Sequence, residues 1–342
     1  MNKKRVLAGM RASGKLHLGN YYGGAKGMVA LQEDENHETL YMVANLHGIT
    51  TPFKSRELKE STKSVILDYL SVGLDPEKST IFIQSDLADL HTQLAFYLSS
   101  FVTIARMQHL PTFKEKVKQY PESATMALLN YPVLMAADIL IYKACEVPVG
   151  VDQEPHLEVA REIARKMNDQ YGMDFPEPKR FTIKGGEYIP SLIGLGKMSK
   201  SVEGSYIALT DDLSTIKKRL AGIPTDSGKG EIKMEGEIKK YISEAGNESI
   251  GVSSLMKYVE LFESEKCRAE YETQYQLSGI RYGDMKNKLA DAIYKEILPV
   301  QEKRKELESK PRFIEEVTRE GAKNARAIAE TTIKEVKEKM GL

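Results

Sequence analysis

Short apolar runs alternate with helical patterns in the N-terminal part of the chain, and this alternation constrains the fold more than any other feature. The runs predicted as strands are Arg5–Ala8, Thr39–Ala44 and Thr80–Gln84, and helices are predicted near Tyr22–Gln32 and Glu57–Val72. Strands that alternate with helices are typical of βαβ units in a doubly wound parallel sheet. Ligands bind beyond the carboxyl ends of such strands, so the loops that follow the strands are the candidate site.

The second half of the chain has a different pattern. A further short strand is predicted at Val147–Gly150, but beyond Tyr206 the sequence is charged and helical. A length of 342 residues suits about two domains. We therefore expect an α/β fold: a doubly wound, Rossmann-like parallel-sheet domain over residues 1–205 and an all-helical domain over residues 206–342. One option is that the last helix packs back on the first domain.

Composition excludes several classes of protein. The 49 basic residues are balanced by 49 acidic ones, so the chain is not a uniformly basic coat for nucleic acid, although local patches stay open. Cys145 and Cys267 are too few and too far apart for a disulfide framework or a C-x-x-C site. No apolar stretch reads as a signal peptide or a membrane span. We expect a soluble, cytoplasmic protein.

The loop after the first predicted strand leads directly into a helix. A loop of small residues and a helix N-terminus at the end of a sheet strand form a natural anion site. Gly19 would let a nucleotide approach the backbone, and His17 and Asn20 lie on the same face of the first turn. Taken alone, the loop also fits a glycine-rich turn with one satisfied histidine. It lacks the glycine pattern of dinucleotide-binding loops.

A second motif, Lys197-Met198-Ser199-Lys200-Ser201, contains two lysines three positions apart. Such a loop can close on a polyphosphate and stabilise charge that develops on a leaving pyrophosphate. By itself a loop of lysine and serine is also typical of a solvated surface turn. The chain does not match a P-loop here, because the required first glycine is replaced by Ser191 and the final Ser/Thr by Met198.

Taken together, His17-Leu18-Gly19-Asn20 and Lys197–Ser201 resemble the HIGH and KMSKS signatures of class I aminoacyl-tRNA synthetases. Between them, the segments Tyr131–Leu140 and Val147–Gln153, followed by His156, resemble the tryptophanyl-tRNA synthetase family, and this resemblance covers essentially the whole chain. It implies ATP-dependent activation of L-tryptophan to tryptophanyl-adenylate, with transfer to tRNA(Trp) and release of AMP and pyrophosphate. It also implies that residues 1–205 are catalytic and that residues 206–342 bind the tRNA anticodon.

The resemblance implies that Asp138 accepts the indole N–H, which suits a nitrogen that can only donate. It places Tyr131, Met135, Gln153 and His47 in the same pocket. By chemistry alone, the Asp138 carboxylate could equally accept a phenol O–H or an N–H of the protein itself. A tyrosyl-tRNA synthetase, which shares fold and mechanism, is therefore the nearest alternative. A small-molecule nucleotidylyltransferase and a non-catalytic RNA-binding paralogue are the others.

For catalysis, the resemblance implies roles for His17, Lys197 and Lys200. For ATP it implies a larger set, in which Asp152 suits a ribose hydroxyl and Ile189 packs on the adenine: Arg11, Ala12, Ser13, Gly19, Asn20, Gly150, Val151, Asp152, Ile189, Lys197, Met198, Ser199, Lys200 and Ser201. Lys116 is a weaker candidate for contact with pyrophosphate.

Cofactors and partners follow from the same resemblance. We expect Mg²⁺ to arrive with ATP, because no carboxylate or histidine cluster has the spacing of a metal site. Some relatives carry a four-cysteine iron–sulfur site in the helical domain, but only Cys267 lies in that region here, so no cluster is expected. The expected partners are L-tryptophan, ATP, tRNA(Trp) and a second copy in a homodimer. The candidate tRNA-binding residues are basic: Lys217, Lys218, Arg219, Lys229, Lys233, Lys239 and Lys240.

Overall fold

The computed structural model describes residues 3–12, 14–119, 121–181, 189–193, 196–199 and 202–342. It divides into two compact units. The first comprises Met1–Gly14, Gly27–Lys184 and Leu307–Leu342, and the second comprises Lys15–Lys26 and Gly185–Glu306. Among the described residues, no helix combines the length and the apolar character needed to cross a membrane.

A five-stranded sheet organises the first unit. Its strands are β1 (Lys4–Arg11), β2 (His37–Ala44), β3 (Thr80–Ile83), β4 (Glu146–Val147) and β5 (Lys179–Arg180). They lie in the order β3-β2-β1-β4-β5, and every neighbouring pair is parallel. The predicted doubly wound parallel sheet is therefore confirmed.

Both faces of this sheet are buried, as helices on both sides require. Along β2, Leu40 and Met42 belong to one apolar core cluster, whereas Tyr41 and Val43 belong to the other. Successive side chains of a strand point to opposite faces, so one strand supplies both cores. This two-sided burial explains why the predicted strands are almost continuously apolar.

The helices occupy the predicted segments between the strands and most of the chain beyond residue 206. Thr125 and Asp212 cap two of them, with side-chain oxygens that accept backbone N–H groups of the first turn. In chain order the helices are α1 (Leu18–Asn20), α2 (Lys26–Gln32), α3 (Ser55–Ser71), α4 (Ala88–Ser99), α5 (Ile104–Gln108), α6 (Pro111–Gln119), α7 (Met126–Leu140), α8 (Glu154–Tyr171), α9 (Leu213–Ala221), α10 (Ile250–Phe262), α11 (Glu265–Gln276), α12 (Tyr282–Glu308) and α13 (Pro311–Met340).

One element beyond residue 206 differs from the all-helical expectation. Strands β6 (Gly230–Glu235) and β7 (Ile238–Ser243) form an antiparallel hairpin in a segment read from the sequence as loop and charged helix. Its two-residue loop begins at Gly236, whose φ of +62° is the backbone geometry that glycine supplies in tight hairpins. The alternation is hard to see because many outward positions are lysine or glutamate. The region is otherwise helical, as predicted.

The chain divides into its two units at other positions than the predicted boundary at residue 206. Lys15–Lys26 and the segment from Gly185 onward group with the second unit, and Leu307–Leu342 groups with the first. The sequence boundary follows a change of pattern, whereas the units reflect which segments pack together. The catalytic and anticodon-binding roles given to residues 1–205 and 206–342 stay predictions.

Helix α13 covers the edge of the first unit's sheet. Its Gly321 approaches the edge strand β3 so closely that an added Cβ would lie 1.8 Å from the carbonyl oxygen of Ile81. Covering an edge strand removes a template for pairing with other chains. Glycine is therefore required at residue 321 by proximity rather than by backbone conformation.

Gly321→Ala should lower the free energy of unfolding by about 1–3 kcal/mol, because the helix backbone must move away from β3. The matched control is Gly283→Ala in α12, where an added Cβ meets no atom within 4 Å. The control should leave stability unchanged or raise it by up to about 1 kcal/mol. Denaturant unfolding of both variants checks this, and equal stabilities would contradict the close packing of α13 on β3.

Candidate active site

A cavity of about 260 Å³ lies in the first unit near the carboxyl ends of its strands. Gly9 and Arg11 of β1, Met42 and Ala44 of β2 and Val147 of β4 contribute to its wall. In a doubly wound sheet this is the edge where ligands bind.

One face of α7 forms another wall of this cavity. Tyr131, Met135 and Asp138 are spaced at i, i+4 and i+7, so they lie on one side of the helix, and all three line the cavity. His47, in the turn Leu46–Thr50 after β2, and Gln153 line it as well. All five residues predicted to bind the amino acid thus surround the same space.

Asp138 is buried and accepts three hydrogen bonds from side chains. His47 Nε2 lies 2.7 Å from Oδ2, His91 Nδ1 lies 2.6 Å from Oδ1, and Gln84 Nε2 lies 2.7 Å from Oδ1. A carboxylate can only accept, so both facing imidazole nitrogens carry hydrogen. Burial by itself would raise the pKa of Asp138, but the hydrogen bonds from His47 and His91 outweigh it and hold that pKa well below its usual range. Asp138 is therefore an ionised acceptor in an apolar cavity.

A chain of hydrogen bonds links a predicted ATP-binding residue to this pocket. Gln153 donates from Nε2 to Asp152 Oδ2 at 2.6 Å, and its Oε1 accepts from His156 Nδ1 at 3.1 Å. His156 Nε2 then accepts from the Tyr131 hydroxyl at 2.7 Å. The carboxylate of Asp152 folds against Gly150, where a Cβ would lie 2.3 Å from Oδ1. Burial lowers the pKa of His156, which keeps the ring neutral. Because Gln153 Oε1 can only accept, the single ring hydrogen is on Nδ1.

The first signature motif begins α1 in the second unit. His17 Nδ1 accepts the backbone N–H of Asn20 at 3.2 Å, and Asn20 Oδ1 accepts that of His17 at 3.3 Å. This reciprocal cap orients both side chains at the helix start. With Nδ1 as an acceptor, the neutral His17 ring carries its hydrogen on Nε2.

The second unit also brings the two signature motifs together. A Cβ added at Gly19 would lie 2.9 Å from the His17 ring and 3.2 Å from Cβ of Met198. Met198 is held by its backbone N–H, which donates to the carbonyl of Ile189 at 3.0 Å. The first motif and the Lys197–Ser199 part of the second are therefore neighbours, and an added Cβ at residue 19 would crowd both.

The predicted basic patch is only partly free of acidic neighbours. Lys217 pairs with Asp291, Arg219 with Asp211, and Lys239 with Glu272. These pairs reduce the net positive charge of the surface, so its role in tRNA binding stays a prediction. Among the described residues, no group of three or more histidine, cysteine or acidic side chains could hold a metal ion.

Comparison with known proteins places this geometry in a family. Residues 1–297 match the family described as class I tRNA synthetases (W and Y). The chain belongs to this family of class I synthetases. The chain is 36% identical to a tryptophan–tRNA ligase of Porphyromonas gingivalis over 98% of both chains. It is 38% identical to that of Fusobacterium nucleatum, over 99% of this chain and 98% of the relative.

Solved structures agree with this placement. The crystal structure of tryptophanyl-tRNA synthetase from Campylobacter jejuni, in complex with ADP and tryptophan, matches with a TM-score of 0.83 and 33% identity, covering 99% of this chain and all of that one. The resemblance predicted from the sequence is thus confirmed, as is the fold class.

Some of the residues predicted to bind ATP belong to the first unit and some to the second. Arg11, Ala12 and Gly150–Asp152 belong to the first unit, whereas Gly19, Asn20, Ile189 and Lys197–Ser199 belong to the second. Arg11 lines the cavity, Lys197 is exposed, and the side chain of Ile189 is fully buried. Ser13, Lys200 and Ser201 lie outside the described residues, and the assigned roles stay predictions.

Three buried residues in the hydrogen-bond network of Asp138 were missed by sequence reasoning. Gln84 and His91 hydrogen-bond Asp138, and Tyr142 lies 2.7 Å from His91 Nε2. All three are fully buried. A polar side chain at a core-facing position of an apolar segment, such as His91 in α4, was the available signal. Its partner could not be read from the sequence, because 47 positions separate His91 from Asp138.

The lowered pKa of His156 predicts a pH dependence of stability. Above about pH 6.5 the ring is mostly neutral in both the folded and the unfolded chain, so the contribution of His156 to the free energy of unfolding is fully present. As the pH falls, the unfolded chain takes up a proton that the folded one resists, so wild-type stability should drop relative to His156→Gln by up to about 1.4 kcal/mol per pH unit. Denaturant unfolding from pH 8 to 5 measures this. The exposed His109, replaced as His109→Gln, should track wild type, whereas parallel curves for His156→Gln would contradict the prediction.

Proposed function

We propose that the chain activates L-tryptophan with ATP and charges tRNA(Trp). In the first step, a carboxylate oxygen of tryptophan attacks the α-phosphorus of ATP, and the bond to the bridging oxygen of pyrophosphate breaks. Tryptophanyl-adenylate and pyrophosphate form. In the second step, a hydroxyl of the tRNA attacks the carbonyl carbon, and AMP leaves.

The observation that carries this proposal is the environment of Asp138. An ionised carboxylate with a remaining acceptor position lies in the wall of an apolar cavity, as an indole with a single N–H donor requires. Met135 adds a thioether, which packs favourably against aromatic rings. Membership of the W and Y family supports the same substrate class.

The activation step relies on positioning and on stabilising charge rather than on a covalent enzyme intermediate. We assign His17 Nε2 and the amide of Asn20 to phosphate oxygens, because the cap fixes both groups at a helix start. Lys197 and Lys200 are assigned to the pyrophosphate leaving group. The carboxylate of Asp152 is assigned to a ribose hydroxyl of ATP. Mg²⁺ enters as part of the ATP substrate and neutralises its phosphates.

The second step requires tRNA as a substrate, and we propose that the reaction takes place in the cytoplasm. The proposed tRNA contacts are the basic residues of α9, Lys229 and the lysines of the β6–β7 hairpin. If they bind phosphates, affinity for tRNA falls steeply as salt is added.

Pyrophosphate exchange tests the activation step directly. Exchange should depend on L-tryptophan and not on L-tyrosine, and Lys200→Ala should reduce it by about 10²–10³-fold, because one preorganised cationic contact to the leaving group is lost. The exposed Lys63 in α3, replaced as Lys63→Ala, is the matched control and should leave the rate unchanged. A loss below about tenfold would contradict the assignment of Lys200. Tyrosine-dependent exchange would contradict the substrate.

We further propose a homodimer whose interface includes an apolar groove of the first unit. The groove lies beside α4 and α7, and none of its lining residues is charged. Phe96 and Ile49 belong to this lining although they are 76% and 45% exposed. Large apolar side chains this accessible in one surface region are typical of an interface with another protein. Tyr131 lines both this groove and the cavity, so a partner seated here would lie next to the amino acid pocket.

Phe96→Asp should convert the dimer to a monomer, because it would place a charge in an apolar interface. Sedimentation velocity measures the change. Phe313→Asp, at an exposed phenylalanine outside this groove, is the matched control and should stay dimeric. A dimeric Phe96→Asp variant would exclude this groove as the interface, and a monomeric wild type would refute the dimer.

A further inference from the structure

We propose that His91 and Gln84 are positioning residues that select for an aromatic N–H, by leaving Asp138 one acceptor position and directing that position at the cavity. This inference rests on the proposed function. It assigns part of the amino acid specificity to two side chains that do not line the pocket.

The placement of both residues excludes direct contact as their role. Gln84 begins the turn Gln84–Leu87 after β3, and His91 lies in α4. Both are fully buried, and neither belongs to the lining of the cavity. They approach Asp138 from the protein interior, within 2.7 Å and 2.6 Å of the same oxygen, Oδ1.

Counting acceptor positions shows what remains for a ligand. A carboxylate offers about four lone-pair positions, two on each oxygen. Gln84 and His91 use both positions of Oδ1, and His47 uses one on Oδ2. Because His47 lines the cavity whereas the donors to Oδ1 do not, the remaining position belongs to the oxygen nearer the ligand. A group that only donates, such as an indole N–H, fits there.

Each donor is held in its orientation by a second hydrogen bond. The oxygen of Gln84 accepts the backbone N–H of Leu46 at 3.0 Å, so its amide nitrogen must point to Asp138. His91 Nε2 lies 2.7 Å from the hydroxyl of Tyr142. Asp138 can only accept, so the hydrogen of the neutral His91 ring is on Nδ1, and Nε2 accepts from the Tyr142 hydroxyl. Burial raises the pKa of Tyr142, so that hydroxyl keeps the proton it donates. The direction of donation therefore runs from Tyr142 through His91 to Asp138.

Selectivity follows from keeping Asp138 without a proton. Without its donors, a buried carboxyl would take up a proton, and its O–H could then donate to a ring atom that lacks hydrogen. With its donors, Asp138 stays ionised and repels any acceptor atom of a ligand. A ring without N–H then leaves the remaining acceptor position of the carboxylate without a partner. Removing the His91 contact should thus weaken the preference for N–H more than it weakens binding in general.

The test compares two amino acids of nearly equal shape, L-tryptophan and 3-benzothienyl-L-alanine, in which sulfur replaces the ring N–H. The measured quantity is the ratio of their kcat/KM values in pyrophosphate exchange. In wild type this ratio should favour tryptophan by about 10-fold to 100-fold, the range expected for a hydrogen bond to a buried charge.

Two polar replacements of His91 separate positioning from filling space. The amide nitrogen of Asn lies as many bonds from Cβ as Nδ1 does, so His91→Asn keeps the donor to Asp138. The amide oxygen of Gln lies as many bonds from Cβ as Nε2 does and can accept from the Tyr142 hydroxyl, but Gln has no donor at the place of Nδ1, so His91→Gln keeps only the Tyr142 side. We expect His91→Asn to hold the ratio within about threefold of wild type and His91→Gln to lower it about tenfold. His109→Gln is the control at an exposed histidine and should not change it.

Equal ratios in His91→Asn and His91→Gln would overturn the inference, since a merely structural histidine does not distinguish the two ring nitrogens. If His91→Gln does not fold, Gln84→Met removes the other donor to Oδ1 with little change in shape. A ratio lowered about fivefold or more would then support the inference, and an unchanged ratio would overturn it. Absence of tryptophan-dependent exchange by wild type would instead refute the proposed function, so the two failures are distinguishable.

Discussion

An ionised carboxylate inside an apolar core has to be compensated, and the first unit of this protein is arranged around that requirement. Asp138 has less than a tenth of its surface exposed and sits on a helix whose other inward residues are apolar. Its donors come from the turn after β2, the turn after β3 and helix α4. An unpaired charge there would cost several kcal/mol. The two turns at the carboxyl edge of the sheet and helix α4 therefore all donate hydrogen bonds to the same carboxylate. The geometry of the parallel sheet makes that convergence possible, because its strands end at the same edge.

This dependence couples binding to folding. Gln84 joins Asp138 to the backbone of Leu46, the residue directly before His47, so two neighbouring loops are tied through one side chain. Tyr142 and His91 continue the network into the main apolar cluster. A ligand that pairs with Asp138 therefore meets a rigid acceptor rather than one that must reorganise, and rigid acceptors discriminate more sharply between donors of similar shape.

The sequence predicts this architecture well where periodicity carries the information. The strands β1, β2 and β3 follow from apolar runs, and the shared face of Tyr131, Met135 and Asp138 follows from helical spacing. The hairpin β6–β7 was missed because lysine and glutamate at its outward positions resemble a charged helix, and only the glycine at its turn distinguishes it. His91 and Gln84 could not be paired with Asp138 in advance, since their contact depends on how α4 and α7 pack over the sheet. Helical spacing places residues on a face but does not say which face of another helix they meet.

The covering of β3 by α13 has a consequence for how the chain is made. Synthesis runs from the N-terminus, and β3 lies in the first quarter of the sequence, whereas Gly321 lies near its end. While the intervening residues are being translated, the edge of the sheet has no cover, and its unpaired backbone groups are open to other chains on the same message. The cover of β3 is thus completed only after α13 has left the ribosome. A protein truncated shortly before α13 would have every residue predicted to be catalytic and an unprotected sheet edge.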